Sequence, residues 1–337
     1  MGIKLSELLH KKQLTLEELK DKKIAIDASN SLYQFLSSIR QPDGTPLMDS
    51  KGNITSHLQG LFSRTLNLTN KGIKICYVFD GKPPSLKQYE QEEREHRKRI
   101  AEEKLRKAME EEDVESMSRY SKQTSRLTRE MVQESKELVK AMGLPVIQAP
   151  SEAEAQAAFM AERKDVYAVG SSDHDALLFG APYLIQNLTL AQKKKLPSGA
   201  YIKIQPEMII LKDILADLKI NQDQLIILGI LIGTDYDRGG VRGIGPKKAL
   251  LLVQQNKNFE KLFSQLNPDF DWKKIYAIFK SMPIMKNYQL KWDELDEEKV
   301  LRLLVDKHEF NEERIRALLN KNKQEKENKK QKSLTDF

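Results

Sequence analysis

The sequence predicts an α/β fold, a mainly parallel twisted central sheet flanked by helices. Three observations predict it. Lys22 to Ile26, Ile73 to Phe79 and Val166 to Val169 are short apolar runs of the kind that form buried strands. Stretches of helical character separate them, as parallel strands require. Each run also ends at or near an aspartate: Asp27, Asp80, and Asp173 followed by Asp175. In such sheets ligands bind beyond the carboxyl ends of the strands, so these four acids are expected on the binding edge.

In chain order, Thr15 and Glu18 form a capping box for a short helical opening, and the first strand stops at Asp27. A helix is expected from Ser29 to about Ile39. Gln41 to Asn53, with Pro42, Gly44, Pro46 and Gly52, reads as a loop. A second helix from about Thr55 to Asn70 leads into the strand ending at Asp80. Asp27 and Asp80 each have a local reading as well, Asp27 as a helix cap and Asp80 with Gly81 as a turn.

Residues 84–135 differ in kind. Glu90 to Asp113 holds ten acids and seven bases, the composition of a solvated helix. Lys87, Arg94 and Lys98 are spaced seven and four apart and share one side of it. This segment is either a salt-bridged surface helix or, inserted directly after Asp80, a lid or gate over the strand ends.

Pro150 to Asp175 concentrates acids. Ser151 and Glu154 fit a capping box, which puts Glu152 and Glu154 in the first turn of a helix, where capping and site chemistry are both open readings. Asp173 and Asp175 are two apart, so an extended segment would point both one way and His174 the other. Beyond them, Tyr183 to Ile204 reads as further strands, followed by a helix over Gln222 to Ile232 and by Asp235. The next stretch, Gly239 to Leu250, contains Gly243 and Gly245 before Pro246. A helix, a glycine turn and a helix begun by proline make an anion site, with Arg242, Lys247 and Lys248 beside it, which points to DNA backbone binding. Residues 255–320 are helical and charged, and Trp272 and Trp292 read as packing. Lys321 to Lys332 is low-complexity and expected to be disordered, carrying Gln331, Leu334 and Phe337 as a docking peptide.

The domain reading is one unit over 1–320, in which 1–100 and 136–260 flank the 84–135 insertion, 222–256 is the helical pair, and 261–320 is a helical C-terminal part. Residues 321–337 form a flexible tail. The net charge is +7, of which the segment from Lys321 contributes +3 through six lysines against Glu325, Glu327 and Asp336. An anionic partner, most economically nucleic acid, is expected. Cys76 is the only cysteine, which excludes an intrachain disulfide and a thiolate metal cluster. The longest apolar run, Leu225 to Ile232, is far short of the roughly 20 residues of a membrane helix, so a soluble intracellular protein is expected. Met1 to Ser6 fits a myristoylation pattern but has no second membrane signal.

Taken together, Ile26-Asp27-Ala28-Ser29, Val78 to Pro84, Ala149 to Ala155, Asp173-His174-Asp175, Gly233 to Tyr236 and Gly243 to Ala249 closely resemble the flap endonucleases of the structure-specific 5′ nuclease superfamily, in their archaeal and eukaryotic form. The resemblance runs from Gly2 to the terminal peptide. It implies a two-metal site at Asp27, Asp80, Glu152, Glu154, Asp173, Asp175 and Asp235, whose hard oxygen ligands suit Mg²⁺ or Mn²⁺. It implies that Lys87 and Arg94 steady the scissile phosphate from a gate helix, that Tyr33 stacks on a base near the cut, and that Gly2 lies near the active site. The glycine turn then corresponds to a helix-two-turn-helix that holds duplex DNA with K⁺.

The tail resembles the peptide that docks on the sliding clamp, proliferating cell nuclear antigen, but ends in one aromatic residue where the family has two. The implied activity is cleavage of branched DNA near a 5′ flap junction, in Okazaki fragment maturation and repair, with 5′–3′ exonuclease action alongside. The rivals are a relative tuned to bubbles or four-way junctions, and a noncatalytic clamp-tethered DNA-binding factor; the presence of all seven acids argues against the latter.

Overall fold

A computed structural model describes residues 5–41, 43–190, 193–195, 201–237 and 239–335. The chain begins with a two-residue edge strand, β1 (Lys12–Gln13), and reaches the sheet centre with β2 (Lys23–Asp27). Helices α1 (Ala28–Ser38) and α2 (Ser56–Asn70) precede β3 (Lys74–Phe79). The insertion follows as α3 (Gln88–Glu110) and α4 (Val114–Ser121), and α5 (Arg129–Ala141) returns the chain to β4 (Val146–Gln148). Then come α6 (Ala153–Glu162), β5 (Ala168–Gly170), α7 (Asp175–Leu178), β6 (Tyr183–Gln186), a hairpin of β7 (Lys193–Lys195) and β8 (Tyr201–Lys203), and β9 (Glu207–Ile210). The remainder is helical: α8 (Leu211–Asp217), α9 (Gln222–Ile232), α10 (Pro246–Gln255), α11 (Phe259–Leu266), α12 (Trp272–Ser281), α13 (Glu297–Leu301) and α14 (Glu312–Thr335).

Seven strands form one sheet in the order β1-β9-β6-β5-β2-β3-β4. Pairings from β6 to β4 are parallel; β9 runs against β6, and β1 pairs antiparallel with β9 and so runs with the parallel strands. The mainly parallel sheet is thus as expected. Three strands of this sheet escaped the sequence reading, β1, β4 and β9, because runs of two to four residues are too short to show a period.

Strand side chains alternate between faces, so the sheet separates two cores. Ile24 and Ile26 of β2 and Ile75, Tyr77 and Phe79 of β3 join α1, α2 and α5 on one side, whereas Ala25, Cys76 and Val78 meet α6, α7 and α9 on the other. Helices α1 and α2 approach closely because Gly60 has no side chain: a Cβ there would stand 2.3 Å from the Phe35 ring. Both tryptophans pack as expected. Trp272 stacks on Phe263 at 4.5 Å, and Trp292 donates to the Ile75 carbonyl at 2.8 Å.

The tail departs from expectation. Where disorder was expected from Lys321, α14 continues to Thr335. Buried Ile315, Leu319 and Asn322 anchor its first turns, Asn322 donating to Asn70, and the Lys, Glu and Gln that follow are good helix formers. Likewise Thr15 and Glu18 exchange their capping-box bonds, at 2.7 and 3.3 Å, around a turn rather than a helix. Among the described residues no helix is long and apolar enough to cross a membrane.

Candidate active site

The carboxyl edge of the sheet collects acids from five chain segments. Asp27 closes β2 and caps α1, its Oδ1 accepting from the Asn30 amide at 3.0 Å. Asp80 follows β3 and reaches across to α6, where its Oδ1 accepts the Ala153 amide at 2.8 Å. That bond overturns the expected Ser151–Glu154 capping box. Glu152 is the residue at the N-cap, its side chain makes no capping bond, and the Ser151 hydroxyl donates instead to the Lys82 carbonyl at 2.9 Å. The reason is proximity: the chain at Gly81 lies so close to α6's approach that a Cβ there would stand 2.3 Å from the Ala149 carbonyl, which brings Asp80 to the orphan helix amides. Glu154, freed from capping, accepts from the Ser171 hydroxyl at 3.1 Å.

The expected alternation of Asp173 and Asp175 also fails. The chain bends after β5, and α7 begins at Asp175, so helical geometry replaces strand geometry. Asp173 accepts from the Asn30 side chain at 3.0 Å, and Asp175 is buried. His174 is buried too, with its Nε2 3.3 Å from the Gln186 amide nitrogen. The fifth segment is the loop after α9, which carries Asp235.

These acids repel one another. Burial first, then Asp80 and Asp173, push the Asp27 carboxyl well above its ordinary range. Burial, then Asp175, Asp27 and Asp173, do the same to Glu154. Burial raises Glu152 also, although Lys87 pulls it back. The counter-charges come from the insertion. Lys87 Nζ lies 2.5 Å from Glu152 and 3.6 Å from Asp235, and Arg94 donates to Asp235 at 2.7 Å. Burial alone would lower both bases, but these carboxylates outweigh it and hold them raised.

Among the described residues, no three carboxyl, imidazole or thiol groups surround one point at ligating distance. The donor set nevertheless fits hard cations. It is all oxygen, and buried like charges in this number become stable together only when positive charge joins them. As the chain stands, two basic side chains supply part of it.

The described residues expected to contact DNA are exposed. Tyr33 on α1 is 40 % exposed, and Lys98 sits 5.6 Å from its ring centre. Arg242, Gly243, Gly245, Lys247 and Lys248 are all exposed on the turn from α9 to α10, where Gly243 has φ +78° and Gly245 caps α10 ahead of Pro246. Gln331 and Leu334 fall within α14, whereas Gly2 and Phe337 lie outside the described residues.

Two residues of the site were missed. Asn30 joins α1 to the acidic loop, donating to Asp173 and accepting from the Ser172 hydroxyl at 2.9 Å. Asp237 ties the glycine turn, its Oδ1 accepting the Gly239 and Gly240 amides at 2.8 and 2.6 Å and its Oδ2 accepting from Thr234. The signal for Asn30 was its place three residues after Asp27. For Asp237 it was an aspartate two residues before a glycine pair.

Residues 1–101 match the XPG N-terminal domain and residues 143–235 the XPG I-region. The chain is 49% identical over 338 residues to flap endonuclease 1 of Pyrococcus furiosus, covering 100% of this chain and 99% of that protein. Its fold matches the solved structure of flap endonuclease-1 from Methanococcus jannaschii with a TM-score of 0.78 and 40% identity, over 97% of this chain and 100% of that one. A solved structure titled as the catalytic core of Rad2 in complex with DNA substrate shares the fold, with a TM-score of 0.71 and 22% identity, over 96% of this chain and 100% of that one.

Proposed function

This chain belongs to the flap endonuclease 1 family of XPG-type nucleases, and from that premise we propose how its residues cut a 5′ flap. It is a structure-specific flap endonuclease, a hydrolase, in a family that depends on divalent metal. The observation that carries the mechanism is the meeting of buried, mutually repelling carboxylates with Lys87 and Arg94 from the helical insertion.

Asp27, Asp80, Glu152, Glu154, Asp173, Asp175 and Asp235 would hold two Mg²⁺ ions, with Mn²⁺ as a substitute. Bound there, the ions supply a nucleophilic hydroxide at neutral pH and polarise the phosphodiester. The protein's own part is to bind and orient. The insertion of α3 and α4 acts as the gate that admits the 5′ strand. An incoming phosphate competes with Glu152 and Asp235 for Lys87 and Arg94, which then place charge-assisted hydrogen bonds on the oxygens where negative charge develops. The exposed Tyr33 ring offers a stacking face to the base beside the cut. The amides around Gly243 and Gly245, with Arg242, Lys247 and Lys248, would grip the duplex phosphates, and a K⁺ ion held at that turn would add positive charge toward them. Gly2 lies near the active site, and Gln331, Leu334 and Phe337 dock on the sliding clamp. The work this serves is Okazaki fragment maturation and repair, with 5′–3′ exonuclease action on nicked ends.

Labelled 5′-flap, nicked, bubble and four-way DNA, each with and without Mg²⁺, tests the reading. Cleavage of the flap near its junction, lost without Mg²⁺ and lost in Asp173→Ala, is the expected result. Cutting that survives Asp173→Ala would sink the metal-site assignment, and preference for the bubble or four-way substrate would move the protein to a different member of the superfamily.

A further inference from the structure

The insertion meets the nuclease body at places besides Lys87 and Arg94. Near the active site Lys98 on α3 covers Tyr33 on α1. At the far end a single residue, Arg40, just beyond α1, gathers four acceptors. Its Nε donates to the Leu36 carbonyl at 3.0 Å, closing the end of α1. Its Nη1 donates to the Gly44 carbonyl at 2.9 Å and to Ser121 Oγ at 2.5 Å, and its Nη2 to Ser125 Oγ at 2.6 Å. Ser121, itself buried, donates on to the same Gly44 carbonyl at 2.8 Å. Gly44 has φ +87°, and a Cβ there would stand 2.5 Å from Ser118 Cα, so α4 lies against the loop with no side chain between them.

We propose that Arg40 is the positioning residue of the gate, its guanidinium seating α4 on the loop between α1 and α2 and so setting where Lys87 and Arg94 stand over the carboxylates. The inference rests on the flap-cleavage reading above and assigns the gate a fixed pivot. Two features favour this over simple surface stabilisation. Among the described residues no carboxylate pairs with Arg40, although α3 is crowded with glutamates, and burial accordingly pulls its guanidinium below the ordinary value. A planar fork spread over two hydroxyls and two carbonyls defines an orientation, which a point charge cannot.

Placement supports it as well. Tyr33 lies within α1, and Arg40, two residues past its last residue, is tied back to it through the Leu36 carbonyl. Helix α1 therefore carries the Tyr33 contact on its length and the Arg40 seat at its end. The same helix starts at Asp27 and holds Asp173 through Asn30, so gate and carboxylates are referenced to one rigid element.

The test uses full-length protein and a labelled 5′-flap substrate with Mg²⁺ at saturating enzyme, together with binding of that substrate in EDTA and amide exchange over residues 114–125. In Arg40→Lys, and separately in the double variant Ser121→Ala with Ser125→Ala, the single-turnover rate is expected to fall about 10-fold or more with affinity within about twofold, as for a displaced catalytic constellation. Exchange over α4 should quicken in both while the melting temperature holds. The double variant leaves the positive charge in place, so it separates seating from phosphate contact. Unchanged rate and exchange in both variants would overturn the proposal. So would full activity in Arg40→Lys beside lost affinity in Arg40→Ala, which would make Arg40 a phosphate contact. If the unaltered protein leaves the flap uncut, the proposed function falls instead, and the exchange result still decides the seat.

Discussion

Lys87 and Arg94 illustrate how a side chain gains its meaning from what it faces. Lys87 stands just ahead of α3 and Arg94 on it, a spacing like that of any salt-bridged helix, and Arg94 does bond Glu90 at 2.9 Å in the ordinary i, i+4 manner. What sets them apart is the second partner, a buried carboxylate from a distant segment. Removing either base leaves a buried acid without its counter-charge and, on the proposed mechanism, would deprive the scissile phosphate of a donor. Lys87→Ala and Arg94→Ala are each expected to lower single-turnover flap cleavage by about 10²–10³-fold, the usual cost of losing one such donor. Cleavage within about threefold of the parent would detach the gate from the chemistry while leaving the metal ligands untouched. Glu154 carries a similar lesson. Its S-x-x-E setting suits a cap, yet Asp80 takes that duty through the Ala153 amide, and Glu154 turns to Ser171.

At the scale of elements, helix ends and strand ends do the positioning. Asp27 serves as a strand terminus and a helix cap at once, so both readings of it from sequence hold together. The glycine turn between α9 and α10 depends on Asp237, which satisfies amides that would otherwise be orphaned at a tight bend. Helix α14 runs into the terminal peptide as far as Thr335. Deleting residues 331–337 is expected to abolish stimulation by the sliding clamp and spare basal cleavage of the flap. Retained stimulation, followed in a cleavage assay with and without clamp, would refute the docking assignment.

For the whole molecule, the C-terminal part is fastened to the sheet domain by a polar knot far from the catalytic edge. His308 places Nδ1 3.1 Å from Asp49 and Nε2 3.1 Å from Glu134, Lys307 reaches Glu134 at 3.0 Å, and the Glu309 carboxylate accepts from Ser50. His57, fully buried on α2, lies 3.8 Å from Glu134 with neither ring nitrogen hydrogen-bonded among the described residues. Burial holds the His57 imidazole below its ordinary value. The His57 contact, ahead of Lys307, holds Glu134 at about 2. Burial would raise Asp49, but hydrogen bonds from Asn53 and His308 hold it at about 2 as well.

A lowered histidine is uncharged in the fold, so its contribution is present above the unfolded value of about 6.5 and is lost as pH falls through it. The two lowered carboxyls contribute above about pH 4 and lose that contribution as pH falls toward 2. The raised active-site carboxyls run the other way, favouring the fold at acid pH, so the histidine effect must be read as a difference. Melting temperatures of the protein and of His57→Leu should therefore diverge in slope between pH 7 and 5, the variant losing less on acidification. Parallel curves would show that His57 does not couple folding to pH.

The sequence by itself determined the α/β class, the parallel strand order's acidic edge, and the identity of the acids, because strand termini and hydrophobic periods are local patterns that need no partner. Asp27 and Asp80 could be marked as candidates from where their strands stop, whereas Asp235 joined the set through the resemblance to flap endonucleases. Tertiary structure alone decided which local options those residues took. It put Asp80 rather than Ser151 on the α6 amides, started a helix at Asp175 where alternation promised a strand, and brought Asn30 to Asp173 across more than a hundred residues of chain. It also brought the Arg40 guanidinium to the Ser121 and Ser125 hydroxyls. The physical reason is common to all four: a short polar side chain has several satisfactory local partners of nearly equal energy, and the packing of distant segments selects among them.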